Sequence, residues 1–194
     1  MVSSTTIVSA PKGWEKISLG SVLAQVDRRE RVVGTQAYKL LGVRLAGQGP
    51  FLREEKTGQN IQASYLSKVC AGDLIYSRLF AWRGAFGVIP LELDGAFVSN
   101  EFPTFRVDSS RVDVNFLRLY FSRPAIWSEV ESFCTGTTKA SRNRFKEQYF
   151  VEMEVPLPTL DEQRRIASRI DELSVKVEKA RDLCGSSADS ENGL

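Results

Sequence analysis

Apolar and polar positions alternate in short runs along most of this chain and shift to helical spacing near its middle and its end. The stretch GWEKISLGSVLAQV, residues 13–26, alternates and then turns helical, which predicts a first strand followed by a short helix. YKLLGVRL (38–45), DLIYSRL (73–79), AFGVIPL (85–91) and FPTFRV (102–107) are brief, rich in β-branched and aromatic residues, and divided by Gly, Asp and Asn turns. They read as strands of one sheet. DVNFLRLYFS (113–122) and PAIWSEVESF (124–133) carry apolar residues at helical intervals, with Pro124 in a first turn, where its missing N–H costs nothing. Two short helices are expected there.

The last third changes character. VEMEVPLP (151–158) alternates as a strand and is halted by two prolines, after which Thr159, Leu160, Asp161 and Glu162 form a Thr-x-x-Glu capping box. A helix is therefore predicted from Leu160. Within it Ile166, Ile170, Leu173, Val177, Ala180 and Cys184 follow one another at intervals of 4, 3, 4, 3 and 4, the spacing of a heptad seam, and Gly185 supplies a stop. About 24 residues rising 1.5 Å each make a rod of about 36 Å. Three heptads are marginal alone, so the seam either docks on its own domain or takes a partner helix, and alternating charges on its other faces favour the partner. The division expected is a disordered start over 1–12, a folded domain over 13–158, the helix over 159–184 and a disordered tail over 185–194.

Composition narrows the chemistry. The chain has 194 residues, 26 basic and 24 acidic, with 42% apolar, which suits one ordinary domain with an appendage. Its apolar runs fall far short of the roughly 20 residues needed to cross a bilayer, and MVSSTTIVSAPK lacks the pattern of an export signal. Cys70, Cys134 and Cys184 are odd in number and show no CxxC spacing, so they read as reduced thiols of a cytoplasmic protein. Histidine is absent altogether, which removes the usual general base and the commonest metal ligand. No phosphate loop, GxGxxG, Pro-Asp or Asn/Asp-Pro-Pro motif occurs. A binding protein is the expectation. Residues 1–159 carry 20 basic and 16 acidic groups, and 17 of the 26 basic residues are arginine, whose planar fork suits phosphate and guanine.

Three segments carry a family resemblance. GDLIYSRLFAWRGAFGVIP (72–90), VSNEFPTF (98–105) and VPLPTLDEQRRIASRID (155–171) resemble the specificity subunit of type I restriction-modification systems. A strand ending in Pro-x-Pro, a short spacer, Glu-Gln and a heptad helix resembles that family's junction between a target recognition domain and a conserved spacer helix. The resemblance spans residues 14–183 and implies an α/β (α+β) fold: a target recognition domain with a twisted, mainly antiparallel sheet and short helices, then a long C-terminal coiled-coil-type helix. It implies a non-catalytic subunit that reads one half of a bipartite double-stranded DNA target. That subunit docks a methyltransferase subunit and, through it, an endonuclease subunit. It needs no cofactor itself; S-adenosylmethionine, Mg and ATP belong to the partner subunits. The family usually has two recognition domains and two spacer helices, and here there is one of each. A natural half-subunit, a truncated product and an excised fragment all fit, and a half-subunit would restore the arrangement as a homodimer through the helix.

Candidate DNA contacts follow from charge and side-chain type. GTTKASRNRFK (136–146) sets four cations and no anion among small hydroxyl and amide groups, which marks Thr137, Thr138, Lys139, Arg142, Asn143, Arg144 and Lys146. SRLFAWRGAF (77–86) interleaves basic and aromatic residues, marking Arg78, Trp82 and Arg83, with Phe80 and Phe86 assigned to the core. Arg44, Gln48, Lys56, Gln59 and Asn60 lie in the loop-rich region after the first sheet strand. Arg28, Arg29 and Arg31 read as a solvated face. The capping box explains Glu162 without catalysis. Arg164, Arg165 and Arg169 lie outside the seam and meet either DNA phosphates or a methyltransferase subunit, or else pair with Asp161, Glu162 and Asp171. The seam contact is assigned to Ile166, Ile170, Leu173, Val177 and Ala180. Two other functions remain open: a protein-protein module acting through its heptad helix, and a recognition domain detached from a single-chain restriction-methylation enzyme.

Overall fold

In the computed structural model, which describes residues 13–134 and 144–190, the chain begins on β1 (Glu15–Ser18), whose partner lies near the other end of the domain. β1 pairs antiparallel with β11 (Glu154–Leu157), Ile17 standing opposite Val155. This ribbon closes the domain and delivers the chain to its last helix. The predicted first helix is a single 3-10 turn, Leu19–Ser21, before β2 (Leu23–Gln25).

The strands divide among sheets instead of forming one. β3 (Arg29–Arg31), β4 (Ala37–Arg44), β5 (Gly49–Thr57), β6 (Tyr65–Lys68) and β9 (Phe97–Val98) make a five-stranded sheet in the order β3-β6-β9-β4-β5. Only β4 and β9 are parallel in it. β7 (Leu74–Tyr76), β8 (Phe86–Val88) and β10 (Thr104–Val107) join β2 in an antiparallel sheet ordered β2-β10-β7-β8. The period of a strand reports which faces are buried and not which strand is its neighbour, so this division could not be read locally.

One cluster, built on Leu41, Val43, Ile75, Ile89 and Val98, fills the space between these two sheets. The larger core lies on the other side of the four-stranded sheet. There Tyr76, fully buried, has ring centroids at 4.8 Å from Phe150, 5.5 Å from Phe86 and 5.6 Å from Phe145. Desolvation pushes the Tyr76 hydroxyl far above the usual phenol range. It stays a neutral donor, to the Phe145 carbonyl.

The predicted helices form as α1 (Val114–Phe121) and α2 (Pro124–Phe133). Asp113 caps α1 by accepting from the N–H groups of Asn115 and Phe116, and Pro124 opens α2. The strand expected over 151–158 begins only at Glu154, because its first residues finish α3 (Glu147–Glu152), which Phe150 anchors in the aromatic core.

The last helix, α4 (Leu160–Ser190), starts where the capping box places it, the Glu162 N–H lying 3.4 Å from the Thr159 hydroxyl. It passes through Gly185 without stopping there. An interior glycine costs about 1 kcal/mol against alanine, which 31 helical residues absorb. Residues 1–12 and 191–194, assigned to disordered ends, lie outside the described residues.

Candidate nucleic-acid interface

The loop between β7 and β8 carries Arg78, Trp82 and Arg83 and is closed by a hydrogen bond from the Ser77 N–H to the Ala85 carbonyl. Its two ends reach different neighbours. At the far end, the Ala46 N–H donates to the Arg83 carbonyl at 2.9 Å and the Gly47 N–H to the Gly84 carbonyl at 2.8 Å. The β4–β5 turn, with Arg44 and Gln48, is thereby held beside Arg83. Both glycines are required: each has positive φ, a Cβ on Gly47 would strike Ser122, and one on Gly84 would overlap the Trp127 indole. Ala46, held at φ 54° between Arg44 and Gln48, shows how firmly its neighbours set this turn.

The side chains there differ in freedom. Arg83 and Gln48 are exposed, and Arg44 is exposed with its guanidinium 4.4 Å from the Phe51 ring centroid. Arg83 lies over the Trp82 ring at 5.8 Å. Trp82 itself is half-buried against the core and donates its indole N–H to the Leu79 carbonyl at 2.9 Å. Its ring face supports Arg83, and its polar edge is spent inside the loop.

At the near end Arg78 is committed to the fold. Its guanidinium pairs with Glu147 and donates to the Asn100 carbonyl, while its own carbonyl accepts the Phe145 N–H at 2.9 Å. Burial works to raise the Glu147 carboxyl, and the Arg78 guanidinium with a backbone bond outweighs it, so the group titrates below the usual range. The Phe145 bond holds exposed Arg144 and Lys146 beside this loop, with Arg144 at 3.0 Å from Glu101. Thr137, Thr138, Lys139, Arg142 and Asn143 lie outside the described residues.

Lys56, Gln59 and Asn60 do not join this group. Lys56 stands opposite Tyr38 and Gly49 opposite Arg44, so the two ends of the β4–β5 hairpin are separated by six residues, roughly 20 Å. Lys56 is paired with Glu54 at 2.9 Å, and with Asn60 it rims an open cleft of about 420 Å³ floored by Leu40, Leu66 and Phe97. Arg28, read as solvated, is instead a structural tie. It pairs with buried Asp73, which also accepts the Cys70 N–H at 2.8 Å. Arg29 pairs with Asp27. Exposed Arg31 faces exposed Tyr65 across β3 and β6, an arginine-aromatic pair that only strand pairing brings together.

The junction with α4 is the most specific polar arrangement in the domain. Gln163 is fully buried; its side-chain oxygen accepts the Asp113 N–H at 2.8 Å, and its amide donates to the carbonyls of Arg111 at 3.0 Å and Pro158 at 2.9 Å. Ile166 and Ala167 pack beside it, and Arg118 of α1 reaches Asp171 of α4 at 2.7 Å. Beyond that point the seam leaves the domain. Ile170, Leu173 and Val177 are 38%, 45% and 49% exposed. Among the described residues no group of His, Cys, Asp and Glu could hold a metal ion, and no helix is long and apolar enough to cross a membrane.

Residues 11–182, which take in the domain and most of α4, match the model of the type I restriction modification DNA specificity domain. The chain belongs to this family. Among solved structures, it is similar to the HsdS subunit from Thermoanaerobacter tengcongensis, at 22% identity and TM-score 0.72, covering 90% of this chain and 45% of that one. A chain from a structure of type I R-M complex assembly and conformational transition gives 21% identity and TM-score 0.67, again covering 90% of this chain and 45% of that one. The type I restriction-modification S subunit from M. genitalium gives 14% identity and TM-score 0.56, covering 91% and 42%. The specificity-domain chain thus spans less than half the length of these three chains, and they establish its fold. No curated protein sequence matches it.

Proposed function

We propose that this specificity domain is a non-catalytic DNA-recognition element of a type I restriction-modification complex, reading one half of a bipartite double-stranded target. The observation that carries this is the family match over residues 11–182, which takes in both the domain and the start of its projecting helix. Exposed Arg44, Gln48 and Arg83 at one end of the β7–β8 loop, and exposed Arg144 and Lys146 at its other end, supply the cations and amide for phosphate and base-edge contacts in this reading. Arg78 and Trp82 support that surface from within. Arg142 and Asn143 adjoin it in sequence and belong to the same reading.

In this role the domain brings DNA to a methyltransferase subunit, which holds S-adenosylmethionine, and through it to an endonuclease subunit that uses Mg and ATP. A second helix on the exposed seam of α4 fixes the distance to the other half of the target. The chain is a cytoplasmic protein in this reading. The test is selection from a random duplex DNA library by the chain assembled with the methyltransferase subunit. Enrichment of two short half-sites at a fixed gap is expected, and the doubly substituted Arg142→Ala, Arg144→Ala chain should lose it. A library that emerges without any enriched motif would overturn the proposal.

A further inference from the structure

Among the described residues the seam of α4 lacks a partner within the domain from Ile170 onward, and the residues bordering it say what partner it fits. In a heptad lettered a to g, the spacing puts Ile170 and Val177 at a and Ile166, Leu173 and Ala180 at d. The bordering g positions are then Arg169 and Lys176, and the bordering e positions are Ala167, Ser174 and Arg181. From Ile166 onward no acid stands at either border. Acidic Asp171, Glu172 and Glu178 occupy the outer b and c positions, where Asp171 is held by Arg118 and Glu172 accepts from Arg169 at 3.2 Å. Arg169, Lys176 and Arg181 are all exposed.

Charges at e and g choose partner and orientation in paired helices. An antiparallel pair sets g against g and e against e, so two copies of α4 would bring Arg169 and Lys176 against the same two cations. A parallel pair sets each g against the e position five residues further along the partner. Arg169 would meet Ser174, and Lys176 would meet Arg181. From Ile166 onward neither orientation yields one attractive border pair, and each sets cation against cation. The two-fold pairing expected from the heptads alone thus has the right apolar seam and the wrong rim.

We infer that the exposed seam of α4 docks a helix of another kind, one whose own apolar seam is bordered by Asp or Glu at e and g, in preference to a second copy of this chain. The inference stands on the helix and holds whether or not the domain reads DNA.

Two peptides test it against the full chain. One carries the sequence of residues 160–183 unaltered; the other carries it with Arg169→Glu, Lys176→Glu and Arg181→Glu. In 50 mM salt the acidic peptide should bind at least tenfold more tightly than the unaltered one, and 1 M salt should close the gap. The full chain bearing the same three substitutions should reverse the preference, with an unchanged far-ultraviolet circular dichroism spectrum because all three side chains are exposed. In the same low salt the native chain should sediment as a 21.7 kDa monomer. Equal binding of the peptides, binding of neither, or a dimer of the native chain that forms more tightly than the acidic peptide binds would each overturn the inference.

Discussion

The side-chain oxygen of Gln163 accepts the backbone N–H of Asp113 at 2.8 Å, tying the first turn of α4 to the residue that caps α1. The same glutamine's amide satisfies the carbonyls of Arg111 and Pro158, so three segments converge on one fully buried side chain. A buried amide that meets all its partners fixes direction as well as energy. It sets the angle at which the helix leaves the domain, and with it the placing of whatever the helix carries.

Gln163→Ala leaves one N–H and two carbonyls without their partner in a buried site. The expected loss is about 3 kcal/mol of stability, since each unsatisfied buried group costs about 1–3 kcal/mol. Denaturant unfolding of the variant checks it. A midpoint equal to the native chain's would mean that the three hydrogen bonds contribute nothing.

Arg78 and Glu147 give the domain an acid-sensitive tie between the β7–β8 loop and α3. The carboxyl titrates lower when folded than its ordinary 4.5. The stability it adds is therefore fully present above that value and fades as pH falls through the lower folded one. Both side chains are partly exposed, so the contribution is modest. Glu147→Gln should flatten the part of the stability-pH curve below about pH 4.5. Parallel curves for native and variant chains would count against the pair.

The two ends of the β4–β5 hairpin should separate in DNA binding. Arg44→Ala with Arg83→Ala removes two exposed cations from the proposed interface without unsatisfying a buried group. The affinity of the assembled complex for DNA should fall about tenfold or more. The slope of log affinity against log salt should become shallower by about 2, near 1 for each phosphate no longer neutralised. Gln59→Ala with Asn60→Ala, at the far end, should change neither quantity. Filter binding across a salt series measures both pairs, and an equal loss from the far pair would move the interface.

Local chemistry was legible where local chemistry decides the structure. The capping box at Thr159 and the proline opening α2 each involve residues within a few positions of one another, and each stands as expected; a helix also forms from Leu160, where the heptad spacing lies. What could not be read were pairings between distant segments. Arg28, a solvated cation by its local sequence, pairs with Asp73, and Arg78, a candidate DNA contact, has its guanidinium held by Glu147 and the Asn100 carbonyl. Gln163 gave a faint signal, a polar residue inside the family-like junction, but its role depends on Asp113 and Arg111, some fifty residues away. Lys56 and Gln48 looked like one loop region until strand register put them at opposite ends of a hairpin.

Ile166 and Ile170 lie one turn apart on the same seam and should answer differently to the same substitution. Ile166 packs against the domain core, so Ile166→Asp places a carboxylate against apolar neighbours and should cost about 2–3 kcal/mol of stability. Ile170 is 38% exposed and sits beyond the last domain contact of the seam, so Ile170→Asp should change the unfolding midpoint by no more than about 0.5 kcal/mol. Association should show the opposite order of interest: Ile170→Asp removes the first free a position and should abolish docking of any second helix. Sedimentation of each variant with its helical partner, set beside its unfolding curve, separates the two roles. An Ile170→Asp chain that keeps both its stability and its partner would mean that the seam is not where the second helix lies.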